Sequence, residues 1–140
     1  MLKYIELKTN QSDSGPAWIA RVKMSRSGTT VYFNGKALRR ARKGGLEGNY
    51  FDVRTRDEYW VSGVKKDGTD RHWAGSGKVA LEASAVREYL ALTGMAEVDE
   101  SRLFVVPDLP QTDIQRLHDA ANERLEAGAE HAWRGKSRRP

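Results

Sequence analysis

The sequence predicts an α+β chain, with a small antiparallel β-barrel or bent sheet of five to six strands followed by two α-helices. Three observations predict it. Residues 1–80 are short alternating runs separated by glycine turns, and Asn34-Gly35 carries the strongest hairpin signal. After Lys78 the apolar period lengthens from strand to helix spacing.

Leu2 to Lys8 reads as a first, mixed β-segment, and Gly15-Pro16 breaks the chain before the second. In the second, Trp18, Ala20, Val22 and Met24 alternate with Ile19, Arg21, Lys23 and Ser25, the pattern of a half-buried strand with a charged outer face. Ser25 to Gly28 is a turn, Thr29 to Phe33 a β-branched and aromatic strand, and Lys36 to Ala41 its return. Four cations and two glycines between Arg39 and Gly45 favour an exposed loop. Tyr50 to Arg54 and Glu58 to Lys66 follow as strands around Thr55-Arg56-Asp57, with Gly63 expected at a bulge and Asp67-Gly68 closing another hairpin.

Val79 to Leu81 completes a strand, and Ser84 is the expected N-cap of a helix with Val86, Tyr89 and Leu90 on one face and Gly94 as its stop. Residues 1–94 thus form the barrel unit with one short helix, and 95–110 an acidic connector with a short strand at Leu103 to Val106. Thr112 and Gln115 have capping-box spacing, which predicts a second helix over 111–128 with Ile114, Leu117, Ala121 and Leu125 as a narrow apolar stripe. Residues 129–140 form a basic tail.

The net charge of +5 conceals a division. Residues 1–81 carry 16 Lys/Arg against 8 Asp/Glu, whereas 82–127 carry 4 against 10 and 128–140 carry 4 against 1. The basic half points to a polyanionic partner, or to an acidic half that faces it within or between chains. No apolar run has the length of a spanning helix and MLKYIELK lacks a signal-peptide pattern, so no membrane association and a cytoplasmic address are expected. Without cysteine, thiolate chemistry, disulfides and cysteine-ligated zinc are excluded.

Asp70-Arg71-His72-Trp73-Ala74-Gly75-Ser76-Gly77-Lys78 mixes the residues of an active-site loop, a phosphate cradle and a turn. A phosphate loop needs glycine where His72 stands, Ser or Thr where Val79 stands, and a helix next; the following element reads as extended. A glycine turn that can still offer amides to an anion remains. Asp70 and His72 could orient a hydroxyl such as Ser76, but no nucleophile-elbow pattern is present, so a small enzyme using Asp70 and His72 ranks third. His72, His118 and His131 lack zinc spacing, and Asp52, Asp57, Glu58 and Asp70 could supply a paired-carboxylate hydrolase but, beside hairpins, read as turn formers; no metal, cofactor or catalytic residue is assigned.

The more informative pattern interleaves Tyr32, Phe33, Tyr50, Phe51, Tyr59, Trp60 and Trp73 with cations. Alternation sends about half of such rings inward, and the remainder beside cations would stack bases and hold phosphates. The plain alternative is that these rings are core and the cations solubilise the chain. The nucleic-acid-binding candidates are Lys36, Arg39, Arg40, Arg42, Lys43, Tyr50, Tyr59, Trp60, Lys65, Lys66, Arg71 and Trp73, on a face away from the acidic helices.

Gly15-Pro16-Ala17-Trp18-Ile19, Tyr32-Phe33-Asn34-Gly35-Lys36 and Tyr59-Trp60-Val61-Ser62-Gly63-Val64-Lys65-Lys66 give the segment from Tyr4 to Gly94 a resemblance to a group of short bacterial proteins. Some of that group carry the name 1-deoxy-D-xylulose-5-phosphate synthase. That thiamine-diphosphate enzyme is several times longer and this chain has no Gly-Asp-Gly motif, so the resemblance implies a bacterial origin and supplies no site residue. In architecture the strand pattern also resembles a Src-homology-3-like barrel, a fold that hosts peptide and nucleic-acid binding alike. The expectation is a non-enzymatic module that binds RNA or DNA. The alternative is a protein-interaction or oligomer-forming module using the barrel groove, the acidic helices or self-association through 111–128.

Overall fold

The computed structural model describes residues 1–8, 14–42, 48–71 and 76–118. Lys43, His72, Trp73, residues 119–128 of the expected second helix and the expected 129–140 tail lie outside them. The described chain is mostly β. Nine strands form one mixed sheet: β1 (Leu2–Lys8), β2 (Ala17–Arg21), β3 (Lys23–Met24), β4 (Thr30–Phe33), β5 (Lys36–Arg40), β6 (Tyr50–Asp52), β7 (Glu58–Gly63), β8 (Val79–Glu82) and β9 (Leu103–Val106). The one full helix among the described residues is α1 (Val86–Thr93).

This corrects both the expected five to six strands and the α+β balance. The strand order is β3-β4-β5-β6-β7-β1-β2-β8-β9, so β8 and β9 extend the sheet beyond β2 as parallel strands, a non-local pairing that short-range periodicity does not encode. The antiparallel portion curls into a barrel-like surface because β3, at one end of the order, is joined to β2 by Val22 alone.

The curled sheet encloses one core: Ile5, Ala20, Val22, Val31, Phe33, Leu38, Tyr50, Tyr59 and Val61, with Trp18 and Met24 packed against it. Trp18 meets Phe33 edge-on at 5.4 Å between ring centroids. The alternation read from Trp18, Ala20, Val22 and Met24 is the inward face of β2 and β3. The opposite face is not simply solvated. Ile19 is fully buried with Tyr4, Ala17, Val79, Leu81, Tyr89 and Leu103 in a second core, formed by the outer side of β1 and β2, the strands β8 and β9 that extend them, and α1.

Local chemistry explains the turns. Asn34 and Gly35 both have positive φ, +50° and +76°, as a two-residue hairpin of the mirror-image type requires. The Asp52 carboxylate accepts the Arg54 and Thr55 amides and closes the β6–β7 turn, where Arg56 takes φ +71°. Asp67-Gly68 does turn the chain, but it joins β7 to no antiparallel partner, and Gly63 sits in register opposite Lys3 without a bulge.

Two helix starts differ from expectation. Ser84 lies in a 3-10 turn (Ala83–Ala85) that leads into α1, and its amide donates to Asp108 Oδ1 at 2.8 Å. Residues 114–118 are helical, and Asp113 caps them by accepting the Arg116 amide at 2.9 Å. Thr112 is diverted because its hydroxyl donates to the Lys36 carbonyl at 3.0 Å, tying the segment back to β5. Gly94 ends α1 as expected, at φ +72°, with its amide on the Leu90 carbonyl.

Candidate nucleic-acid interface and an adjoining cavity

The inward parity of Leu38, Tyr50, Tyr59 and Val61 turns the alternate residues Arg39, Phe51, Glu58 and Trp60 to the outside of β5, β6 and β7. Arg39 lies opposite Phe51, and Phe51 opposite Glu58, in one cross-strand row. Trp60 stands two residues along β7 from Glu58, within diagonal reach of Phe51, and 41% of it is exposed. From the β6–β7 turn the Arg56 guanidinium lies 5.5 Å from the Phe51 ring centroid, a cation–π contact. Tyr32 and Lys23, paired on β4 and β3, extend the same outer surface.

Gly48 and Asn49 set the approach of this face. A Cβ on Gly48 would stand 2.5 Å from the Tyr59 carbonyl oxygen, so only glycine allows the chain to pass there. Its amide donates to Glu58 Oε1 at 3.0 Å. The Asn49 side chain imitates a strand backbone, accepting the Val61 amide at 2.7 Å and donating to its carbonyl at 2.8 Å.

The expected site residues do not form one surface. Tyr50 and Tyr59 are buried in the barrel core, so neither presents a face for stacking. The Tyr50 hydroxyl instead donates to the Gly28 carbonyl at 2.9 Å, and burial, with Asp52 and Asp57 nearby, pushes the Tyr59 phenol up to about 12. Arg40 covers the Tyr50 ring at 5.9 Å, and Lys36, opposite Phe33, follows the inward parity of β5. Arg39 and Arg42 are exposed, as are Lys65 and Lys66 beyond the far end of β7. Lys43 and Trp73 lie outside the described residues. Phe51 and Arg56 complete the outer face; Arg56 was hidden in a turn motif, and strand parity was the signal that could have separated Phe51 from Tyr50.

Lys65 and Arg71 belong to a different place. With Asp70, Arg102 and the Ser76-Gly77 turn they line a cavity of about 470 Å³ over an apolar floor of Ile19, Val79 and Leu103. The cavity adjoins a buried polar cluster on β1. Glu6, 2% exposed, accepts the Tyr4 hydroxyl on Oε1 at 2.6 Å and Lys8 Nζ on Oε2 at 3.1 Å, and Arg71 Nη1 lies 3.8 Å from that same Oε2. Burial, then the bond to Glu6, holds the Tyr4 phenol far above its ordinary value. Asp70 Oδ1 accepts the Lys65 amide at 2.7 Å, while burial raises the Asp70 carboxyl above the usual range.

A second cavity of about 460 Å³ lies between Met1, Arg21, Tyr32 and the segment from Asp108 to Thr112. Its buried carboxylate, Glu82, is engaged by the Arg21 amide at 3.1 Å and the Leu109 amide at 2.8 Å, which fixes that segment across the sheet. Arg21 Nη2 also meets Glu88 at 3.3 Å, so at one point the basic and acidic halves do face each other. Among the described residues no cluster of three or more His, Asp or Glu could hold a metal, and no helix is long and apolar enough to cross a membrane.

No family model matches this chain, and neither a curated protein nor a solved structure matches it.

Proposed function

We propose that the protein is a non-enzymatic binding module for single-stranded nucleic acid, and that the outer face of β5, β6 and β7 is its contact surface. The observation that carries this reading is the exposure of Trp60 and Arg39 beside the half-buried Phe51 on one side of three adjacent strands, with Arg56 reaching the Phe51 ring from the β6–β7 turn. Rings on a sheet offer stacking to any base, and cations around them neutralise the backbone. Arg39 and Arg56 form no ion pair with a described residue, which supports a role for them in meeting phosphates.

Fluorescence anisotropy with a labelled single-stranded oligonucleotide, repeated across a salt series, tests it. Affinity is expected to fall linearly on logarithmic axes as salt rises, through displacement of counterions. Trp60→Ala is expected to remove about 1–3 kcal/mol of binding, the value of one stacked base. Binding that ignores salt and the loss of Trp60 would reject the reading.

A further inference from the structure

The Lys65, Arg71 and Arg102 cavity meets the sheet through Glu6, which Arg71 contacts and which stands opposite Trp60 in the β1–β7 register, and its composition calls for a different account. We infer that it is a receptor for a terminal phosphate group, the monoester phosphate of an oligonucleotide end or a free phosphate. At about 470 Å³ it falls within the ~300–1,000 Å³ of small-molecule pockets, and its floor of Ile19, Val79 and Leu103 is apolar.

Three basic side chains converge on it. Arg71 Nη2 stands 3.9 Å from where a Cβ on Gly77 would lie, which places a guanidinium against the glycine turn, and Gly77 itself has φ +94°. Arg102 is anchored from the other wall, with Nη1 donating to the Gly68 carbonyl at 3.3 Å and Nε 3.8 Å from Asp99. Lys65 enters from the segment after β7, its backbone amide committed to Asp70 and its ammonium separate from that bond. Arginine suits this task because its planar fork matches two phosphate oxygens at once.

Asp70 is the one carboxylate among the described lining residues, and it does not occupy the anion's place. Its Oδ1 is held by the Lys65 amide, and Oδ2 is shut away from solvent. Burial raises its carboxyl above its ordinary value. The Asp67 and Asp99 carboxylates nearby are turned to their own loops, each accepting an amide and a hydroxyl two residues on. The cavity is therefore lined by Lys65, by Arg102 and by Arg71, whose Nη1 also faces Glu6 at 3.8 Å, over an apolar base.

The oligonucleotide arm of the test rests on the function proposed above; the free-phosphate arm does not. Two single-stranded oligonucleotides of one sequence, one 5′-phosphorylated and one 5′-hydroxyl, are compared on the full chain and on Arg102→Gln, a half-exposed position, with a thermal melt of each chain to show that both are folded. The phosphorylated strand is expected to bind about tenfold more tightly to the native chain, the scale of one charge-assisted hydrogen bond, and this ratio is expected to fall toward one in Arg102→Gln. Equal affinities on the native chain overturn the inference while leaving the stacking face intact. If neither strand binds, inorganic phosphate titrated into labelled protein decides: amide shifts at Gly77 and Arg102 support the cavity, and their absence overturns it.

Discussion

The Tyr4 hydroxyl donates to Glu6 Oε1 at 2.6 Å, two residues along the same face of β1, and both side chains are almost fully buried. A carboxylate in that position is tolerated because Tyr4, Lys8 and Arg71 surround it, and β1 is covered on both faces by the two cores. The same cluster meets one wall of the Lys65, Arg71 and Arg102 cavity through Arg71.

Tyr4→Phe keeps the ring in the second core and removes only the donor. It is expected to cost about 1–3 kcal/mol, because a buried carboxylate oxygen loses its hydrogen bond. Urea denaturation checks this, with Tyr32→Phe on the outer surface expected to cost much less.

Gly48→Ala is expected to destabilise by about 1–3 kcal/mol or more, since the added methyl would meet Tyr59 backbone atoms at 2.5–2.9 Å and not a side chain able to rotate away. Gly63→Ala is the matched control, because nothing lies within 4 Å of its added carbon. Thermal melts of the two variants should separate clearly.

Arg56 holds a left-handed backbone conformation, φ +71°, that glycine adopts at no steric cost. Arg56→Gly is therefore expected to raise stability by about 0.5–1 kcal/mol while weakening oligonucleotide binding and shortening its salt slope. Chemical denaturation and anisotropy on the same preparation would show the two effects in opposite directions.

The raised Asp70 carboxyl gives a pH signature. With the folded pKa above the unfolded one, the native state binds more protons between the two, so this residue's contribution to stability declines as pH rises through that window. Asp70→Asn keeps an oxygen for the Lys65 amide and removes the titration. The stability difference between variant and native chain is expected to widen in the variant's favour as pH rises from the ordinary aspartate value through the raised one, and a constant difference would contradict the assignment.

Much of the barrel-like half was legible because its determinants are local. Trp18, Ala20, Val22 and Met24 announce an inward face by alternation, and Asn34-Gly35 announces its turn by tolerating positive φ. What escaped is set by distant partners. Ile19 reads as part of a solvated face until Leu81 arrives beside it as a parallel strand, and Asp67-Gly68 reads as a hairpin until β7 is seen to have its partners elsewhere. Thr112 had a capping sequence, yet the Lys36 carbonyl competes for its hydroxyl. In the candidate site, the side of the sheet taken by each ring depended on register: Tyr50 and Tyr59 pair inward, and Phe51 and Trp60 fall outside. The cavity was not legible, because Lys65, Arg71 and Arg102 meet only after β9 docks on β8.

Backbone amide shifts of the labelled protein, followed during titration with a single-stranded oligonucleotide at low salt, test the stacking face most directly. The account predicts perturbations concentrated at Arg39, Phe51, Arg56 and Trp60, with α1 unaffected. Perturbations confined to α1 and β9, or a spectrum unchanged by the oligonucleotide, would contradict it.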